Sequence, residues 1–275
     1  MTIGFSKTFP FDRLFLSRLL RAYYENPRLS KRQRMEILGV GGQKSEAMVA
    51  WMRMIGLRDN RKKELTTLGK IILQNDPNLE KLGTQFLIHY KLSSNAEAEV
   101  WFAMTNKFLP TQTAFSRKDA LSFLISMGVG KTRMKHMVAD LRTYLTSMCS
   151  ERALGRIKII KSLENGNDDG RTEYEVSRSV EVPPQIVAYV LYDYRDRHNP
   201  RARSISTSDV LVSDGNIGKV FLMPREQLNS TLNLLSTAEH GGFVRIARCA
   251  DIDQVELLFD GTALDLLSST YPDVR

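Results

Sequence analysis

The chain has 275 residues, 42% hydrophobic and 25% charged, an ordinary globular composition with room for two or three small cores. Its cysteines, Cys149 and Cys249, stand a hundred residues apart with no CxxC pair or Cys/His cluster beside them. That argues against a zinc site or a disulfide framework and points to the cytoplasm. No apolar run approaches the ~20 residues of a membrane span, and residues 1–21 lack the apolar stretch of a signal peptide. The formal charge of +8 is unevenly placed: residues 1–70 carry 15 Lys and Arg against 6 Asp and Glu, residues 71–150 carry 9 against 6, and residues 151–275 carry 15 against 19. A basic block beside an acidic tail suggests a polyanion at one end and a protein partner at the other.

In chain order, Asp12 is placed to cap a helix over 13–25, with Leu14, Leu16, Leu19, Leu20 and Tyr23 at helical spacing. Asn26-Pro27 stops it. Ser30 caps a short helix ending at Leu38, Gly39-Val40-Gly41-Gly42 turns the chain, and a third helix is predicted over 43–55. Ala47, Met48, Trp51, Met54 and Ile55 form its inner face, leaving Lys44, Ser45 and Arg53 outward. Residues 56–65 read as two short strands around a charged tip, and Thr66 or Thr67 caps a helix over 68–73. A helix-turn-helix followed by a cationic β-wing is a winged helix.

Residues 79–92 and 96–108 are amphipathic and predicted helical. A second helix-turn-helix pattern follows, with Ser116 capping 117–127, Gly128-Val129-Gly130 turning, and Thr132 capping a helix to about Ser147. Strands are predicted over 156–160 and 173–176, joined by the polar stretch Asn165-Gly166-Asn167-Asp168-Asp169-Gly170 as a second wing. The last third repeats the plan more loosely. Pro183-Pro184 opens a helix to about Arg197, Ser208 caps a short helical piece, Pro224 opens a helix over 225–236, and strands follow over 243–247 and 254–259. The fold class is therefore mainly α with small β-wings, an α+β chain of tandem winged-helix-like units, divided as 1–75, 76–180 and 181–275.

The N-terminal unit carries the strongest functional signal. The first turn of its third helix would present Gln43, Lys44 and Ser45 to base edges. The wing tip, Arg61, Lys62 and Lys63, would meet phosphates or an adjacent minor groove, and Lys31, Arg32 and Arg34 would meet phosphates. Arg53 and Arg58 complete the set. The competing reading is a solvated charge run on a winged helix used for protein contact. Lys131, Arg133 and Lys135, with His136, form a second and weaker DNA-contact set. Gly128-Val129-Gly130-Lys131-Thr132 ends like a phosphate-binding loop but has Ile125 where that motif needs glycine and a predicted helix where it needs a strand. The run Tyr189, Tyr192, Asp193, Tyr194 fits an amphipathic helix with tyrosines inside better than a strand-cleaving site. The four histidines have no ligand spacing, no catalytic or metal residues are assigned, and no cofactor is evident.

An ordered set of segments carries a family resemblance along nearly the whole chain: Phe5-Ser6-Lys7-Thr8-Phe9-Pro10, Leu38-Gly39-Val40-Gly41, Trp51-Met52-Arg53-Met54-Ile55-Gly56-Leu57, Glu64-Leu65-Thr66-Thr67-Leu68-Gly69, Trp101-Phe102-Ala103-Met104-Thr105-Asn106-Lys107-Phe108 and Val182-Pro183-Pro184-Gln185-Ile186-Val187-Ala188-Tyr189. Together they resemble the SspB-type proteins of bacterial DNA phosphorothioation clusters, a family long labelled as a domain of unknown function. The resemblance implies a soluble component of an antiphage system that binds double-stranded DNA and nicks it, with Mg²⁺ or Mn²⁺ as the metal of such a nickase. It also implies partners: a cysteine desulfurase, a sulfurtransferase resembling PAPS reductase, and an ATPase. It supplies no motif that places nicking residues on this sequence. The alternative is a non-enzymatic winged-helix transcriptional regulator or adaptor.

Overall fold

The computed structural model describes residues 4–127, 131–163, 173–249 and 252–271. They build a mainly helical α+β fold with three small antiparallel sheets. The Asp12 carboxylate accepts from the amides of Leu14 and Phe15 and starts α1 (Arg13–Glu25). Ser30 and Gln33 cap one another's backbone to start α2 (Lys31–Leu38). Gly39, with φ 65°, turns the chain into α3 (Gly42–Ile55), which Gly56 ends at φ 81°; both angles favour glycine because it lacks Cβ. β1 (Arg58–Asp59) and β2 (Glu64–Leu65) pair with Arg58 opposite Leu65. Thr66 then caps α4 (Thr67–Asn75).

α5 (Leu82–Ser93) is buried on almost every side and acts as an internal strut. α6 (Glu99–Ala103) leads through a π-turn, Met104–Phe108, into β3 (Ala114–Ser116), α7 (Arg117–Ser126), α8 (Lys131–Cys149), β4 (Ile160–Leu163) and β5 (Glu173–Val176). The sheet order is β3-β5-β4. A similar order returns with one more helix in α9 (Pro184–His198), β6 (Ser204–Ser206), α10 (Thr207–Val212), α11 (Ile217–Val220), α12 (Arg225–Leu235), β7 (Val244–Cys249) and β8 (Ile252–Leu257), and the sheet order β6-β8-β7 matches that of β3-β5-β4. α13 (Ala263–Ser269) closes the fold.

Several expectations are corrected. The helix expected from 79 begins at Leu82, because Leu79 sits at φ 59° and the Asp76 carboxylate takes the amides of Glu80 and Lys81. The helix expected over 96–108 divides: the Asn106 side chain donates to the Phe102 carbonyl, intruding on the helical ladder where it widens to a π-turn. The strand expected over 156–160 is instead a 3₁₀ turn, Gly155–Ile157, and β4 begins at Ile160. Ser206, not Ser208, caps α10. β3 and β6 have no counterpart among the expected strands, since three residues show no usable alternation and each is formed by pairing with β5 or β8. The Gly128–Gly130 turn and the Asn165–Gly170 wing lie outside the described residues. Arg117–Ser126 is a helix, so the phosphate-loop reading lacks its strand.

One cluster of buried apolar side chains runs from Phe11 to Leu267. Trp51 of α3 meets Phe5, Phe11 and Trp101 edge-on at 4.7, 5.9 and 5.7 Å, and Trp101 meets Tyr144 of α8 at 4.8 Å. This aromatic seam joins the N-terminal helices to the middle of the chain. No helix among the described residues is long and apolar enough to cross a membrane.

Candidate nucleic-acid interface

The hairpin between β1 and β2 is the best-built cationic feature of the N-terminal unit. The Asp59 carboxylate accepts from the amides of Arg61 and Lys62 at 2.8 and 3.1 Å, closing the tip into a fixed turn. Those amides hold the Asp59 carboxyl below its usual range. Lys63 completes the turn at φ 58°, in the left-handed region. Arg61, Lys62 and Lys63 are all exposed, and no carboxylate among the described residues lies within ion-pair distance of them. Arg58 does something else. It is 9% exposed, its guanidinium lies 4.2 Å over the Tyr23 ring, and it donates to Asn60 and to the Pro27 carbonyl. It packs at the base of the hairpin, whereas the sequence reading set it among the DNA contacts.

α3 departs further from expectation. Ser45 is fully buried and meets no base edge, a correction that follows from helical periodicity, since it shares the inner face with Met48 and Met52. Gln43 is exposed. The Lys44 ammonium lies 4.1 Å over the Phe15 ring, and its side chain lines a groove of about 550 Å³ with Arg13 and Arg152. Further along the helix sits Glu46, which the charge tally hid. Its carboxylate is gripped by Lys31 at 2.6 Å and by Lys7. Those two ammonium groups hold its carboxyl down to about 2. Arg53, at the far end of the helix, pairs with Glu97 at 3.0 Å.

On α2, Arg32 pairs with Glu36 one turn on at 2.9 Å, and Arg34 donates to the Leu29 carbonyl at 2.8 Å. Lys31, Arg32, Arg34 and Arg53 therefore already have partners within the fold, whereas the hairpin-tip cations have no carboxylate within ion-pair distance among the described residues. In α8, Lys135 and His136 are exposed, while the side chains of Lys131 and Arg133 lie outside the described residues. α8 also anchors the start of the chain. The Asp140 carboxylate accepts from the Gly4 amide at 2.6 Å and from Ser6 at 3.3 Å, holding the N-terminal segment against the middle unit.

The tyrosine run is structural. Tyr189 and Tyr192 are fully buried; Tyr192 donates to the Phe243 carbonyl at 2.7 Å. Asp193 accepts from Tyr90 at 2.7 Å, Tyr189 at 3.1 Å, Lys91 at 3.1 Å and Arg197 at 2.8 Å. Burial pushes its carboxyl up, but these partners prevail and leave it below the ordinary value. Among the described residues, no three His, Cys, Asp or Glu side chains converge in a way that would hold a metal ion.

The family model described as "Protein of unknown function (DUF4007)" matches residues 6–271. The chain belongs to this family. Two solved structures share its fold: "Magnesium ion-bound SspB crystal structure", at a TM-score of 0.80, and "SspB crystal structure", at 0.79. Each is 19% identical over 98% of this chain and 88% of the matched chain. The resemblance read from the sequence is thus met by the fold, along nearly the whole chain. No curated protein sequence matches it.

Proposed function

We propose that this DUF4007 protein is a DNA-binding component of a bacterial DNA phosphorothioation system of the SspB type. The observation that carries the DNA-binding reading is the hairpin tip. Three adjacent exposed cations are presented on a carboxylate-closed turn with no acid partner among the described residues. Three helices followed by that hairpin, and two later three-stranded sheets of matching order, each with helices between its first strand and its hairpin, support tandem winged-helix units as the scaffold. The N-terminal unit holds the basic surplus. Its wing tip takes phosphates or the minor groove, and Gln43 and Lys44 at the start of α3 stand nearest a base-reading role. The fold shared with SspB supports the phosphorothioation setting, in which the desulfurase, the PAPS-reductase-like sulfurtransferase and the ATPase are the partners.

The test is the salt dependence of duplex binding. Replacing Arg61, Lys62 and Lys63 together by Ala flattens the slope of log K against log salt by up to about three phosphate contacts, each worth about 0.9. An unchanged slope moves the interface off the hairpin. Nicking is a separate matter. Supercoiled plasmid incubated with the pure protein in Mg²⁺ or Mn²⁺, with and without the sulfurtransferase, yields nicked circles if the protein cuts. Closed plasmid throughout leaves a binding protein or adaptor.

A further inference from the structure

The C-terminal third carries more acidic than basic residues, 19 against 15 over residues 151–275, yet it holds a groove lined mainly by arginines. The groove, of about 600 Å³, is lined by Arg195, Arg201, Arg203 and Arg245 against Glu256 and Asp260. Its construction follows from strand register. Ser204 lies opposite Glu256, and Glu256 opposite Arg245, so the three form one row across β6, β8 and β7. The neighbouring row, Ile205, Val255 and Ile246, turns toward the core, as the period of two requires. Asn199-Pro200 stops α9, and a tight turn closed by the Ala202 amide on the Asn199 carbonyl brings Arg201 and Arg203 over that row.

Two of the four guanidinium groups are already engaged. Arg245 pairs with Glu256 at 2.5 Å. Arg195 is held by Asp196 at 2.7 Å and by the Gly261 carbonyl at 2.7 Å, over the Tyr192 ring. Arg201 and Arg203 line the groove with no carboxylate among the described residues within ion-pair distance; Arg201 is exposed. Beside them Leu258 is 51% exposed and Phe259 half-buried. A pair of planar forks suits phosphate oxygens, and an apolar strip alongside suits a sugar or base face.

We infer that this groove is a second nucleic-acid contact, in which Arg201 and Arg203 take adjacent phosphates of a strand whose sugars lie along Leu258 and Phe259. The inference rests on the DNA-binding reading above and extends it to the C-terminal third of the chain.

The experiment measures binding of the full chain to fluorescein-labelled 30-mer single-stranded and duplex DNA, as anisotropy over a salt series. It compares wild type, R201A/R203A, R201K/R203K and R61A/K62A/K63A. R201A/R203A is expected to weaken binding about three- to tenfold at low salt and to flatten the slope by up to about two phosphate contacts, while R201K/R203K keeps most of the slope. Wild-type affinity and slope in R201A/R203A overturn the inference while the hairpin reading stands. If R201A/R203A is weakened and the hairpin triple variant is not, the groove stands and the hairpin reading falls. A wild type that binds neither DNA overturns both.

Discussion

The Arg58 guanidinium lies 4.2 Å over the ring of Tyr23, joining the base of the β1–β2 hairpin to α1. Only three residues on, the cations at the tip are open to solvent. Residues of the same charge in the same ten-residue stretch therefore do different work. Arg58→Ala is expected to destabilise the fold by about 1–2 kcal/mol, the range of a largely desolvated cation–π contact, and to lower the melting temperature by a few degrees. Its effect on the salt slope of DNA binding should be smaller than that of the tip triple variant. A slope change as large as the triple variant's, with no loss of melting temperature, would place Arg58 at the DNA instead.

Lys63 pairs a useful charge with an unfavourable backbone angle, φ 58°. Left-handed geometry costs a non-glycine residue about 1–2 kcal/mol. Lys63→Gly should therefore be at least as stable as wild type in urea melts, while losing about one phosphate contact from the salt slope. Lys63→Ala should lose the same contact without the gain in stability.

His89 is fully buried, donates from Nε2 to the Val220 carbonyl at 2.9 Å, and has no partner for Nδ1. Burial lowers its pKa to about 4, against about 6.5 when unfolded. As pH falls through that window the unfolded chain takes up the proton first, so stability is lost between about pH 6.5 and pH 4 and no further below. The whole window corresponds to about 3 kcal/mol. His89→Gln, which keeps a donor for Val220, should show a shallower fall in melting temperature between pH 6.5 and 4 than wild type. Parallel curves would remove His89 as the cause.

Asp193 is the shared acceptor of Tyr90, Tyr189, Lys91 and Arg197. Asp193→Asn leaves two cations and their tyrosines facing a neutral amide inside the protein. A loss of about 3–5 kcal/mol is expected, the usual cost of breaking a buried charge pair from one side. Chemical denaturation measures it. Tyr189→Phe, by contrast, should leave DNA binding and any nicking unchanged, since this residue is fully buried.

Trp51 and Trp101, the two tryptophans of the sequence, are packed edge-on at 5.7 Å, and Asn95 donates to the Met54 carbonyl at the end of the same helix. Residues 1–75 expressed alone lose Trp101, Tyr144 and the Asn95 contact together. They are expected to show red-shifted tryptophan emission and a lower melting temperature than the full chain. Unshifted emission would mean the N-terminal unit closes its own core.

The helices with strong local signals are legible in the sequence. Asp12, Ser30, Thr66 and Ser116 each cap the helix expected of them, because a cap is a contact within three residues. Strands of three residues and the π-turn at Met104 are not, since each depends on partners far along the chain or on one inserted side chain. Among the candidate residues, the exposure of the hairpin-tip cations is legible, because a hairpin tip has nowhere to bury them. Ser45, Arg58 and Glu46 are not, because which way each faces is set by the neighbour it packs against.

Where the positive charge lies along the chain, and that a basic turn follows the third helix, can be read from the order of amino acids alone, since charge count and turn residues are local properties. Which of those cations remain without an acid is settled in three dimensions. Lys31, Arg32 and Arg53 are taken by Glu46, Glu36 and Glu97, while Arg61, Lys62 and Lys63 stand clear. Folding also brings Arg201 and Arg203 over a sheet row made by strands some forty to fifty residues further on. Coulombic pairing acts over a few ångströms of space, and a linear chain does not state those distances.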